Sequence, residues 1–211
     1  RDKLLASLIM LHLPIGAGDS FAGVVDLLEM KAVFYKTEKM GATFEETEIP
    51  AEMEKIARQR RNEMIELAAE YDAELMDNYV HDKPIEVEMI NRAIRTGTLS
   101  GKIHPVFVGS ALKYIGVQRL LDGVVAYLPS PLDRNVLTGH KPGKPDKTVS
   151  IKCDRNGSMV ALAFKITSDV HGDLSFLRIY QGRLKSSSRV LNANRNRREN
   201  ITRIFEMHAN E

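Results

Sequence analysis

The spacing of apolar residues changes partway along this chain, and that change limits what it can fold into. Met53, Ile56, Met64, Leu67, Tyr71, Leu75 and Tyr79 recur near the helical period, and Val117, Leu120, Leu121, Val124 and Leu128 repeat at i, i+3, i+4, i+7 and i+11. After residue 157 the period becomes two, the spacing of a half-buried strand. Between these regions, residues 132–157 are rich in Pro, Gly, Lys and Asp and read as a linker or exposed loop. The pattern predicts an α/β part followed by an antiparallel sheet or barrel. With 211 residues and 43% hydrophobic content, the chain has enough apolar side chain for one large or two small domains.

The α/β part resolves further. Residues 4–11 read as the end of a helix running into a buried strand, 21–35 as an extended segment, and 37–49 as a polar connection with one short strand. Pro50 suits the first turn of a long helix continuing past Leu75. A shorter helix is expected over 86–99, a strand over 103–108, and a helix from Val117 that Pro129-Ser130-Pro131 ends. Strands are expected over 159–167, 174–181, 189–193 and 201–207.

Charge is distributed unevenly. Residues 38–88 hold 15 acidic and 6 basic side chains, a local net of −9. Residues 183–203 hold 7 basic side chains and one acid, Glu199, a local net of +6. The first region should repel nucleic acid and the second should attract it. Arg195, Arg197 and Arg198 are the densest part of the basic run, near an expected turn, and are the candidate RNA-binding residues. No aromatic side chains interleave with them, so base stacking is not indicated. The acidic helix from Pro50 reads either as a docking surface or as a solvated face.

Self-sufficient chemistry is not visible. The six histidines show no metal-binding helical spacing, and none neighbours Cys153 as a zinc site requires. There is no G-x-x-x-x-G-K-[ST] phosphate loop and no G-x-S-x-G elbow. The lone cysteine excludes an internal disulfide framework and suggests a reducing compartment. No run reaches the roughly 18 apolar residues needed to span a bilayer. On residues alone, the chain could be a non-enzymatic RNA- or ribosome-binding module.

The most informative segment is Val106-Phe107-Val108-Gly109-Ser110-Ala111-Leu112-Lys113, a strand ending in small residues before a helix, where α/β sheets present ligand-binding backbone. Together with Gly116-Val117-Gln118, Leu121-Asp122-Gly123-Val124 and Tyr127-Leu128-Pro129-Ser130-Pro131, it resembles the fifth guanine-nucleotide motif of the elongation factor G family. Leu13-Pro14-Ile15-Gly16, Gly23-Val24-Val25-Asp26-Leu27 and Met30-Lys31-Ala32 resemble the start of the subdomain inserted in that family's GTPase domain. Ala161-Leu162-Ala163-Phe164-Lys165-Ile166, Gly172-Asp173-Leu174-Ser175-Phe176, Arg178-Ile179-Tyr180-Gln181-Gly182 and Met207-His208-Ala209-Asn210 resemble its second domain, a β-barrel. Ser187-Ser188 stands where the family usually has Gly-Asp.

The resemblance implies the C-terminal part of a P-loop GTPase domain over 1–131, with an inserted α+β subdomain at about 14–102 and the fifth motif and its helix at about 103–131. A linker over 132–157 and a partial antiparallel β-barrel over 158–211 would follow. Ser110, Ala111 and Leu112 would contact the guanine base. GTP with magnesium would serve the complete protein, neither being expected on this stretch alone, which lacks the phosphate loop and switches and should be inactive. The implied activity is GTP-dependent translocation of tRNA and mRNA on the ribosome, or ribosome recycling in a related branch. Implied partners are the stalk protein of the large subunit and small-subunit rRNA, in the cytoplasm and with no membrane.

Overall fold

A computed structural model describes residues 6–36, 43–133, 136–169 and 172–206. The chain is mixed α/β with several antiparallel sheets, and it separates into two compact units, Arg1–Leu128 and Pro129–Glu211.

In the first unit, β1 (Leu8–Met10) pairs in parallel with β6 (His104–Val106). Between them in sequence lies a four-stranded antiparallel meander: β2 (His12–Ile15), β3 (Gly23–Asp26), β4 (Lys31–Tyr35) and β5 (Phe44–Thr47). Three helices follow the meander, α1 (Ala51–Ala69), α2 (Ala73–Val80) and α3 (Val87–Leu99), and α4 (Val117–Tyr127) closes the unit. Every residue of β3 is buried, because its two faces serve different cores. Val25 points into the main core with Ile9, Leu11, Met64, Leu75 and Ile94, whereas Val24 packs with Val33, Tyr35 and Ile115. A strand covered on both sides has no reason to alternate with polar residues, so Val24 and Val25 are apolar on both faces, and the buried Asp26 ends the strand.

The extended segment expected over 21–35 is a hairpin. Asp26 turns the chain: its Oδ1 accepts from the Leu28 N–H at 2.9 Å and the Glu29 N–H at 3.2 Å. This is the local side-chain turn that Asp favours. Arg61 of α1 holds the turn from outside by donating to the Leu27 and Leu28 carbonyls.

The single long helix expected from Pro50 is two helices. Ala69 ends α1, and Asp72 restarts the chain in extended conformation as the N-cap of α2, accepting from the Leu75 N–H at 3.0 Å. The apolar stripe runs through the break because both helices face one core. The buried face of α1 is also broader than the stripe, taking in Ala57, Ile65, Ala68 and Ala69, while Ile56 is exposed. α3 and α4 match their expected spans closely, and the expected strand at 103–108 is shorter, covering only β6.

The second unit consists of three antiparallel hairpins: β7 (Leu137–Lys141) with β8 (Lys144–Ile151), β9 (Val160–Asp169) with β10 (Gly172–Gln181), and β11 (Ser188–Asn192) with β12 (Arg197–Ile201). Among the described residues they share no common ladder. The stretch read as a linker over 132–157 thus contains a hairpin, closed by the two-residue turn Pro142-Gly143 with Gly143 at φ +69°. Proline followed by a positive-φ glycine is the signature of a tight turn, and Thr148, Val149 and Ile151 are good strand formers. The strand expected at 201–207 lies earlier, at β12, because Asn196 at φ +48° reverses the chain four residues after β11 ends. Met207-His208-Ala209-Asn210 lies outside the described residues.

Candidate functional site

The loop after β6 is a closed ring with a narrow neck. Ser110 donates its N–H to the Ile115 carbonyl at 2.8 Å, and the Ile115 N–H returns to the Ser110 carbonyl at 3.0 Å. The chain between them turns through Tyr114, at φ +57°, whose N–H donates to the Ala111 carbonyl at 3.2 Å. Below this pair the two limbs touch. A Cβ on Gly109 would lie 2.7 Å from the Ile115 carbonyl oxygen, and one on Gly116, at φ +76°, would lie 2.7 Å from that of Val108. The Ile115 side chain is 1% exposed and anchors the ring in the second core, while Leu112 at its tip is 91% exposed.

The three residues singled out for base contact therefore do different things. The Ser110 N–H is used internally, and its hydroxyl accepts from the Lys113 N–H at 3.3 Å. The Ala111 and Leu112 N–H groups make no hydrogen bond among the described residues. They are the donors the ring leaves available to a ligand, and the side chains flanking the Ala111 N–H, on Ser110 and Ala111, are small.

Beneath the ring, where the meander meets α4, lies a polar seam that sequence reasoning missed. His12 is 2% exposed, meets the Phe107 ring edge-on at 5.0 Å, and leaves its Nδ1 without a partner among the described residues. Burial pushes its pKa below the ordinary 6.5, against an opposing pull from Asp26. Arg119 of α4 donates to Glu46 of β5 at 2.6 Å and lies over the Phe44 ring at 5.6 Å. No local sequence signal marks these groups, because they come from separate elements: His12 from β2, Phe107 from the loop after β6, Arg119 from α4, and Glu46 and Phe44 from β5.

The basic residues are not brought together as one patch. Arg195 lies in the turn between β11 and β12, and its N–H donates to Asn192 Oδ1 at 3.1 Å. Arg197 pairs with Glu199 at 3.1 Å on one face of the hairpin, and Asn192 donates to that same carboxylate. Strand alternation places Arg198 on the opposite, exposed face, level with Leu191 and near Arg189. The acidic region is also partly neutralised in place, by Arg58–Glu54 at 2.6 Å, Arg60–Glu63 at 2.7 Å and Lys83–Asp77 at 2.6 Å. Among the described residues no cluster of three or more His, Cys, Asp or Glu could hold a metal ion. No helix among them is long and apolar enough to cross a membrane.

No protein-family model matches the chain. Along all 211 of its residues, however, the chain is 43% identical to an elongation factor G from Wolbachia pipientis. The chain belongs to the elongation factor G family. It spans 30% of the length of that relative. A crystal structure from Thermus thermophilus superposes with a TM-score of 0.66 at 26% identity, covering 87% of this chain and 24% of the other. Membership of the elongation factor G family agrees with the order of the three sequence blocks and with a mixed α/β unit preceding antiparallel hairpins.

Proposed function

We propose that the intact protein is a ribosomal GTPase that promotes GTP-dependent movement of tRNA and mRNA, and that this stretch supplies its guanine-recognising loop. The observation that carries the reading is the ring at 110–115, which leaves the Ala111 and Leu112 N–H groups at the exit of a parallel strand. A main-chain N–H there donates to the carbonyl oxygen of guanine, whereas the amino group that adenine carries at the same position offers no acceptor. The small side chains beside the Ala111 N–H leave room for the ring.

In this reading the first unit is the C-terminal part of a P-loop GTPase domain carrying an inserted subdomain, and the hairpins belong to a β-barrel. GTP is the substrate. Magnesium, held elsewhere in the intact protein, neutralises phosphate charge. The ribosome is the partner, through its stalk protein at the acidic helices and small-subunit rRNA at the basic hairpin, in the cytoplasm.

Titration of the intact protein with GDP and ADP tests the reading. Guanine selectivity of at least about a hundredfold is expected from a site built to hydrogen-bond the base, with GTP turnover stimulated by ribosomes. Equal affinity for the two nucleotides would sink it.

A further inference from the structure

Lys113 leaves the ring on the side facing the start of the meander. Its Nζ donates to the Gly18 carbonyl at 2.9 Å and the Asp19 carbonyl at 3.1 Å. Those carbonyls belong to a one-turn 3-10 helix, Gly18–Ser20, that is already tied to itself. Ser20 Oγ accepts from the Ala17 N–H at 3.1 Å and donates to the Ala17 carbonyl at 2.9 Å. The turn therefore stands fixed before the ammonium arrives. The Gly18 carbonyl already accepts from the Phe21 N–H at 3.4 Å and turns its second lone pair to the lysine. The Asp19 carbonyl accepts from no backbone N–H among the described residues, as the last carbonyls of a helical turn do for a cation. The Asp19 carboxylate contributes little, since it is fully exposed and 3.9 Å away. Apolar packing joins the same two segments, with Phe21 lying against the cluster that contains Ile115.

We propose that Lys113 is a positioning residue that fastens the 110–115 ring to the 16–20 loop, so that the stiffness of the base-contacting backbone is set by the connection between β2 and β3. The inference rests on the guanine reading for its functional consequence, though not for the contact itself. Ring and clamp lie 95 residues apart in sequence. Any displacement of the 16–20 loop is thereby felt at Ala111 and Leu112, and the consequence for a bound nucleotide is a change in release rate.

The test uses the intact protein with Lys113→Met, Lys113→Arg and Asp19→Ala, read by release of a fluorescent N-methylanthraniloyl GDP and by amide hydrogen exchange over 110–116 without nucleotide. Loss of two charge-assisted hydrogen bonds should speed release by about fivefold or more in Lys113→Met, with faster exchange confined to the ring. Lys113→Arg, whose guanidinium can still reach the carbonyls, should restore most of both, and Asp19→Ala should change neither. Unaltered exchange in Lys113→Met overturns the clamp, and so does an Asp19→Ala effect equal to that of Lys113→Met. If the parent fails to bind the GDP probe, the guanine reading is what falls, and the exchange comparison still decides the clamp.

Discussion

Asp72 at the head of α2 and Arg92 of α3 form a forked pair, with Nε to Oδ2 at 2.6 Å and Nη2 to Oδ1 at 3.2 Å. The same carboxylate caps α2, so one side chain both starts a helix and fastens it to the next. Asp72→Ala should cost about 1–2 kcal/mol, most of it from the lost cap, since Arg92 is half exposed and its ion pair is weak in water. Asp72→Asn keeps a capping oxygen and should cost less. The hydrogen bond from Arg92 holds the Asp72 carboxyl below its ordinary 3.8. A depressed carboxyl stabilises the fold above its unfolded value and loses that contribution as pH falls through the folded one. The gap between parent and Asp72→Asn in urea unfolding should therefore narrow as pH falls below the ordinary 3.8. A gap that persists there would show that charge plays no part.

Ser187 occupies φ +57°, in the left-handed region that favours glycine. An L residue pays roughly 1–2 kcal/mol there, partly offset in glycine by its freer unfolded chain. Ser187→Gly should therefore stabilise the second unit by up to about 1 kcal/mol. Thermal unfolding of the two proteins decides it, and an unchanged or lower midpoint would contradict the strain.

The two faces of the β11–β12 hairpin make the arginines unequal. Arg198 is on the open face, and Arg197 is engaged by Glu199. In RNA binding followed by salt titration, Arg198→Ser should lower affinity and reduce the salt slope by about one. Arg197→Ser should do less, and Glu199→Gln should tighten binding. Equal effects of the two arginine substitutions would mean that the hairpin's faces do not govern contact.

His12 carries the fourth expectation. Its pKa is lowered by burial, with Asp26 of β3 opposing, the Val108 carbonyl bonding the ring, and Arg119 of α4 adding repulsion. The unfolded state therefore binds the proton more readily, and stability is complete above the unfolded value of 6.5 and falls as pH drops below it. Unfolding free energy of the parent should decline as pH falls below 6.5, and His12→Phe should flatten that slope. Parallel slopes would rule out His12 as the titrating group.

Much of this was legible in the sequence. α3 and α4 show as apolar stripes with clear stops, and the ring before α4 shows as small residues at a strand end. What escaped had three physical sources. Asp26 and Asp72 reverse or restart the chain through local side-chain hydrogen bonds, and neighbouring apolar residues hide them because both flanks serve one core. The Pro142-Gly143 turn was hidden by composition, since the residues that make a hairpin turn are those that make a linker. Contacts such as Lys113 to Gly18 and Arg119 to Glu46 are set by tertiary packing alone, and no local pattern announces them. The arginines were visible as a run, but only the register of β11 with β12 assigns them to faces.

The neck formed by Gly109 and Gly116 has a practical consequence for anyone altering this region. With the main chains of the two limbs already in contact, the ring behaves like a drawn purse: its mouth cannot be widened from below, and any extra residue there has nowhere to go. Length and chemistry can change only at the rim, where Leu112 stands in solvent. A small environment-sensitive dye placed at position 112 would sit at the lip of the proposed base site while leaving the neck undisturbed, and would report arrival of a ligand directly.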